Sequence, residues 1–465
     1  MERATPHRPA ARGPATALAL LAIATAFGSS SAAPRREARN LILVSFDTLR
    51  ADRLGCYGNA RPTSPHFDEL AGTGVLFEDA SAAAPWTKPS HATLLTGLYP
   101  SRHGMTTMTS TLAADVVPIA AWLAQRGFRT AAIVNLGMLA THGFERGFDH
   151  VAASELPQGR RAGSTITDSA IEWLRGQGAK KRFFLFLHYV DLHSDYEAEP
   201  PYLAQFVRPY DGSLRGTTQE LYRIAERKLH PSEADVSHLV DLYDASLRQT
   251  DEHLGRLIAF LTETGLLDTT LLVVTADHGE EFLDHGGVLH GQTQYQEVAR
   301  VPLVLHGPGV VAGRRLADPV SLVDVVPTAL GLLGLPAPED VDGVPLHPLW
   351  QKPGHTLPAR FLFFEADITF PPPAPGVVPP GTRRAVRFGK YKLHYDIRTR
   401  QAQLYDLAQD PREMHDVRGA HPEIASVLLG RLTEYLARPE VASPGRELTD
   451  EQLEALRSLG YVGGP

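Results

Sequence analysis

The sequence predicts an α/β fold: a large mixed, mostly parallel sheet sandwiched by helices, with a smaller C-terminal antiparallel sheet-plus-helix domain. Three observations carry this. Short apolar runs end in polar residues at 41–46 (LILVSF), 130–134, 183–189 (FFLFLHY), 271–275 and 302–305. Helical patterns separate these runs. Beyond a proline-rich break at 371–380 (PPPAPGVVPP) the pattern turns to close alternation.

Each element has its reason. Continuous apolar runs mark strands buried on both faces, hence a largely parallel sheet under helices. Strands alternating with helices give a sandwich. Leu239, Leu242, Tyr243, Leu247, Leu254, Leu257, Ile258 and Leu261 recur at helical spacing, and Gly265 follows as a stop. Residues 324–333 form a second helix, with Pro327 in its first turn. The long polar stretch 194–237 is weakly patterned. It reads either as an insertion near the site mouth or as a plain surface loop. Residues 383–395 and 403–406 alternate like antiparallel strands, and 421–436 reads as a helix. There are no internal repeats.

A chain of 465 residues exceeds one typical domain, and 43% apolar residues suffice for a sizeable core. The net charge of −8 argues against a nucleic-acid partner, which needs a basic face. It leaves anionic substrates open, because bound cations reverse the field inside one cleft. Residues 1–33 read as an export signal: Arg3, Arg8 and Arg12, an apolar run over 15–27, then small residues Ser31, Ala32 and Ala33. The alternative is an uncleaved anchor, but the run is short for a membrane span, and no other segment is long and apolar enough. The chain is therefore expected in the periplasm or outside the cell. Cys56 is the single cysteine, so no internal disulfide forms; it reads as a packed residue.

Asp47, Asp191, His193, Asp277 and His278 fall just past strand ends, where such sheets bind ligands. A lone Asp there is often a helix cap. Asp47 together with Asp277 and His278 instead forms a set of two carboxylates and an imidazole that suits a divalent cation.

The segment PWTKPSHATLLTG at 85–97 resembles the sulfatase active-site signature, which runs from Cys-x-Pro-Ser-Arg to Thr-Gly. Thr87 stands where that family oxidises Cys or Ser to formylglycine, and His91 stands at the Arg. Residues 41–58, 275–282, 295–305 and 391–414 fall, in order, where the family has similar segments. The chain thus resembles sulfatase-like members of the alkaline phosphatase superfamily, from about residue 40 to the end. The resemblance implies an alkaline-phosphatase-like catalytic domain over 38–350, a small subdomain over 360–440 and a tail over 441–465.

It also implies a metal-dependent ester hydrolase, with the cation on Asp47, Asp277 and His278 and the nucleophile Thr87 completing the sphere. No formylglycine is expected, since Thr is not a known substrate for that oxidation. Many sulfatases carry two adjacent Asp at the first position, where this chain has Phe46-Asp47, and many have Asn at His278. A lost carboxylate and a gained imidazole favour zinc or manganese, with calcium still possible. Metal coordination would turn the Thr87 hydroxyl into a nucleophile, and the helix N-terminus behind it would face the anion. The alternative is that Thr87 is an N-cap.

Two sulfatase features are replaced. The Lys-x-His sulfate clamp aligns with Asn135-Leu136-Gly137, and the signature Arg is His91. Asn135 and Lys88 are substrate-binding candidates, and His91 orients the nucleophile or touches the anion. Sulfatases place a substrate-binding Lys near His290, whereas the Leu289-His290-Gly291 order resembles phosphoethanolamine transferases, whose nucleophile is also Thr. Asp191, His193 and His290 could hold a second metal. Alternatively, His193 and His290 bind the anion and protonate the leaving group. His188, His285 and His306 are left as structural. Arg50, Asp52 and Arg300 read as scaffold contacts.

The leading expectation is hydrolysis or transfer of a phosphoester by Thr87, on a small-molecule, glycan or lipid head-group ester. The alternatives are an arylsulfatase-like sulfuric ester hydrolase working without formylglycine, and a non-catalytic binding relative.

Overall fold

The computed structural model describes residues 37–153, 163–177, 181–367 and 383–439, with 441, 445 and 449. The expected export signal, the proline-rich stretch 371–380 and the remainder of the C-terminal tail lie outside the described residues.

The main sheet runs in the order Arg314–Leu316, Val75–Ser81, Arg300–His306, Thr270–Ala276, Asn40–Phe46, Phe183–Tyr189, Arg129–Val134 and His150–Ala152, with Val320–Ser321 pairing beside Val75–Ser81. Arg300–His306 is antiparallel to both its neighbours, and the other pairings are parallel. The sheet is therefore mixed and mostly parallel, as expected. Strands Asn40–Phe46, Phe183–Tyr189 and Thr270–Ala276 are buried at every position. Their unbroken apolar character follows from helices covering both faces.

Register places the site. Phe46 pairs with Tyr189 on one side and with Ala276 on the other. The next residues, Asp47 and Asp277, therefore leave the sheet side by side at its carboxyl edge.

The helix Glu233–Glu263 carries the predicted apolar stripe and ends at Gly265, whose φ is +68°. Val325–Leu332 is helical, with Pro327 in its first turn. The C-terminal sheet is Phe361–Ala366, Arg383–Phe388, Tyr391–Asp396 and Gln401–Asp406, antiparallel throughout, and Pro422–Leu436 packs on it.

The stretch 194–237 is not a plain loop. It holds the helices Pro200–Phe206 and Thr218–Ala225, and the long helix already begins at Glu233. Its start signals are polar: Thr217 with Glu220 and Ser232 with Asp235 close capping boxes. Apolar periodicity overlooks such boxes. Among the described residues no helix is long and apolar enough to cross a membrane.

Candidate active site

Asp47 and Asp277 meet over the N-terminus of the helix Thr87–Thr96, which is buried at every residue. Its C-terminal cap, Gly97, has φ +73°, and a Cβ there would lie 3.2 Å from the Val323 carbonyl oxygen. The Thr-Gly that closes the motif is therefore a left-handed helix stop. Ser90 Oγ donates to the Asp277 carbonyl at 2.6 Å and ties the helix to the strand end.

Four donor atoms converge. His278 Nε2 lies 3.6 Å from Asp47 Oδ1, 3.3 Å from Asp277 Oδ2 and 3.4 Å from Thr87 Oγ1. His278 Nδ1–H donates to the Gly279 carbonyl at 2.9 Å, which assigns the tautomer and turns the Nε2 lone pair to the site. Asp47, Thr87, Asp277 and His278 are fully buried. Both Asp47 carboxylate oxygens and Asp277 Oδ2 lack a hydrogen-bond partner. Converging lone pairs without a donor repel one another unless a cation sits among them.

The spacing fits such a cation. Metal–ligand bonds of about 2.1 Å set neighbouring ligands of a tetrahedral sphere about 3.4 Å apart, and the distances above match. The ligand atoms of Asp47, Asp277 and His278 all lie within 4.8 Å of one another. Burial, and then the charge of Asp47, push the Asp277 carboxyl well above the usual range. Burial also works to raise Asp47, but His188, His193 and His278 hold it well below that range. Burial pushes the His278 imidazolium well down, leaving a neutral ligand.

His193 and His290 face each other with ring centroids 5.0 Å apart, and His290 lies 4.4 Å from His278. His290 Nδ1 bonds Glu280 Oε1 at 3.0 Å, and Glu280 also accepts from Tyr196 Oη at 3.1 Å. Burial opposes protonation of His290, but Glu280 outweighs it and raises the pKa. Burial lowers His193. The two imidazoles are thus shifted in opposite directions.

Asp191 is turned elsewhere. Its Oδ1 accepts from Gly163 N at 3.0 Å, at the start of the helix Gly163–Arg175. It belongs to neither group of three potential metal ligands among the described residues. His91 Nδ1 bonds the Thr87 carbonyl at 2.8 Å and its Nε2 bonds Ser45 Oγ at 3.0 Å; burial lowers its pKa to about 3. It therefore braces the Thr87 turn as a neutral ring. Lys88 Nζ donates to the Met108 carbonyl at 2.5 Å, and burial lowers it to about 7. Asn135 is buried at the end of Arg129–Val134 with both amide atoms unpartnered.

Sequence reasoning missed Glu280 and His188. Glu280 stands two residues after His278, and its signal was a carboxylate within a buried turn. His188 interrupts an otherwise apolar strand, and its Nε2 lies 3.3 Å from Asp47 Oδ2. His285 instead bonds Glu297 and lies outside the site. Arg50 pairs with Asp52 and Asp284, and Arg300 donates to the Glu78 carbonyl. Burial raises the Cys56 thiol, the opposite of activation.

Comparison with known proteins identifies the family. The sequence profile described as Sulfatase matches residues 39–335, more than half of the chain. That of N-sulphoglucosamine sulphohydrolase, C-terminal, matches 283–438. The chain is 25% identical to an N-acetylglucosamine-6-O-sulfatase of Bacteroides thetaiotaomicron over 86% of this chain and 87% of that protein. It is 29% identical to human arylsulfatase A over 88% and 89%. Among solved structures, the phosphonate monoester hydrolase of Agrobacterium radiobacter superposes with a TM-score of 0.68 at 24% identity, covering 86% of this chain and 95% of that one. A structure solved with D-glucosamine-2-N,6-O-disulfate as its substrate gives 0.73 at 22% identity, covering 87% and 99%. Profile, relatives and fold converge: the chain belongs to the sulfatase family and is a hydrolase of that family.

Proposed function

We propose that this chain hydrolyses phosphate-type esters, or transfers their phosphoryl group, with Thr87 as nucleophile beside a divalent cation on Asp47, Asp277 and His278. One observation carries the reading. The Thr87 hydroxyl stands 3.4 Å from His278 Nε2, at the rim of a site with unpartnered carboxylate oxygens. Family enzymes use a divalent metal, and zinc or manganese suits this set better than calcium because it includes an imidazole. When bound, the cation would lower the pKa of the Thr87 hydroxyl and offset the charge of the ester.

The protein's own groups do the rest. With its hydroxyl proton released to solvent, Thr87 Oγ forms a bond to phosphorus as the bond to the leaving oxygen breaks. His290, held by Glu280, gives that oxygen a proton. Water, or an acceptor alcohol, then displaces Thr87 and restores His290. Asn135 offers amide hydrogen bonds to the anion. The positions of the sulfatase cationic clamp are neutral here, at Asn135 and Gly137, and the signature Arg is replaced by His91. A weakened grip on a sulfate monoanion, beside a hydroxyl that a bound cation would activate, favours phosphoryl chemistry. The sulfate-ester reading is kept by the relatives themselves, both of which are named as sulfatases.

In the same reading the product is exported after removal of residues 1–33, and its substrate is a small ester or a glycan or lipid head group. Metal-analysed protein assayed on aryl sulfate, phosphate monoester, phosphate diester and phosphonate esters tests the substrate class. The expected result is that a phosphate-type ester turns over fastest. Fastest turnover of the aryl sulfate overturns it.

A further inference from the structure

We propose that His188 is an additional ligand of the cation site, its Nε2 supplying a second imidazole beside His278 and biasing the site toward zinc-like ions over calcium. The inference rests on the cation reading of Asp47, Asp277 and His278.

His188 is the penultimate residue of Phe183–Tyr189 and pairs in register with Ser45 and Val134. Alternation along the strand puts Phe186 and His188 on one face. Both rings pack edge-on against His91 of the Thr87–Thr96 helix, with centroids 5.8 and 4.8 Å away. His188 therefore sits beneath the nucleophile's helix, one step from the strand exit. It is fully buried, and neither ring nitrogen has a hydrogen-bond partner. Its polar neighbour is the Asp47 carboxylate, and a buried imidazole left without a hydrogen bond opposes folding unless something binds it.

The neighbouring atoms identify that something. His188 Nε2 lies 3.3 Å from Asp47 Oδ2, while Asp47 Oδ1 lies 3.6 Å from His278 Nε2. Each oxygen of this carboxylate thus faces one imidazole, and the nearer pair again has the spacing of adjacent ligands on one ion. His91, His188 and Asp277 form a second group whose ligand atoms lie within 4.8 Å of one another, distinct from that of Asp47, Asp277 and His278 and sharing Asp277 with it. Within it, His91 has both nitrogens engaged by Thr87 and Ser45, so His188 is the imidazole with a lone pair to give. The resulting set is two carboxylates, two imidazoles and the Thr87 hydroxyl. A second nitrogen donor favours zinc-like ions, whereas calcium prefers oxygen ligands.

The test compares wild type, His188→Ala and His188→Gln. Each is stripped by chelation and dialysed against zinc or calcium to measure affinity. The zinc-loaded forms are then examined by zinc-edge X-ray absorption to count imidazole ligands. The expected result is loss of one imidazole in both variants. Zinc affinity should fall by about 10–100-fold or more while calcium affinity changes far less. An unchanged imidazole count overturns the proposal. An equal fall in zinc and calcium affinity also overturns it, because His188 would then act only by orienting Asp47. Wild type that binds neither ion would overturn the cation reading itself, whereas zinc bound with a single imidazole overturns the role of His188 alone. Should His188→Ala not fold, His188→Gln, with a polar side chain of similar reach, carries the comparison.

Discussion

Two buried polar clusters in this molecule differ in how their charges are balanced. At the strand exits, Asp47 and Asp277 bring two carboxylates together with unpartnered oxygens. At the seam with the C-terminal sheet, Glu413 is equally buried but fully engaged. It accepts from His394 Nε2 at 2.8 Å and from Gln296 N at 2.8 Å, and pairs with Lys392 Nζ at 3.3 Å. Arg387 and Asp79 form a further ion pair at this seam, at 2.7 Å. The seam is complete within the chain, so it holds structure together. The strand-exit cluster is incomplete, so it is built for something that arrives from outside.

The contrast is broken most strongly at Thr87. Thr87→Ala is expected to lower kcat by several orders of magnitude, the scale of losing a nucleophile, with the melting temperature in chelator nearly unchanged. Thr87→Ser should keep appreciable activity. Steady-state kinetics on the best ester checks both.

Glu413→Gln should do the reverse. Removing one partner of a buried ion pair costs about 3–5 kcal/mol of stability, while kcat of the folded fraction stays within about threefold of wild type. Denaturant melts and active-site-normalised kinetics report it. A variant as stable as wild type would show that the seam contributes nothing.

Asp277→Asn sharpens the comparison, because stability and function should part. The amide oxygen can still accept from Thr48 N and His278 N, which now bond Asp277 Oδ1. Cation binding and turnover should be lost. The metal-free protein should gain about 1–3 kcal/mol, since a buried charge repelled by Asp47 is removed. Metal analysis and melts in chelator decide it, and unchanged metal content would refute the ligand role.

The smallest effect is a pH slope. Burial works to raise Glu413, but Lys392 and His394 outweigh it and hold the carboxyl at about 2, against 4.5 ordinarily. A depressed carboxyl stabilises the fold above its unfolded pKa and loses that contribution as pH falls through the folded value. Wild-type stability should therefore drop between about pH 4.5 and 2, and Glu413→Gln should flatten that limb. Equal slopes in wild type and variant would refute the assignment.

Much of this was legible in the sequence, and the reasons are physical. Strands such as 41–46 and 271–275 are buried on both faces, so their apolar runs stand out in one dimension. Their register then brings Asp47 beside Asp277 without any long-range information beyond adjacency in the sheet. The helix that starts at Thr87 was legible through its motif. Four features were not. The helices within 194–237 begin with polar capping boxes, which carry no apolar period. Asp191 shares a strand exit with His193 but turns to Gly163, a choice made by packing. His188 looked like a structural histidine, because a strand pattern does not reveal whether a buried ring nitrogen finds a partner. Glu280 was hidden likewise, since its role lies in its bond to His290.

The central claim, that Thr87 carries the reaction, has one direct measurement. Wild-type protein turning over a phosphate ester is quenched rapidly in acid, and the peptide containing Thr87 is analysed by mass spectrometry. The account predicts a phosphoryl adduct on Thr87 that builds within the first turnover and is absent from Thr87→Ala. An unmodified Thr87 peptide, together with full turnover by Thr87→Ala, would contradict it.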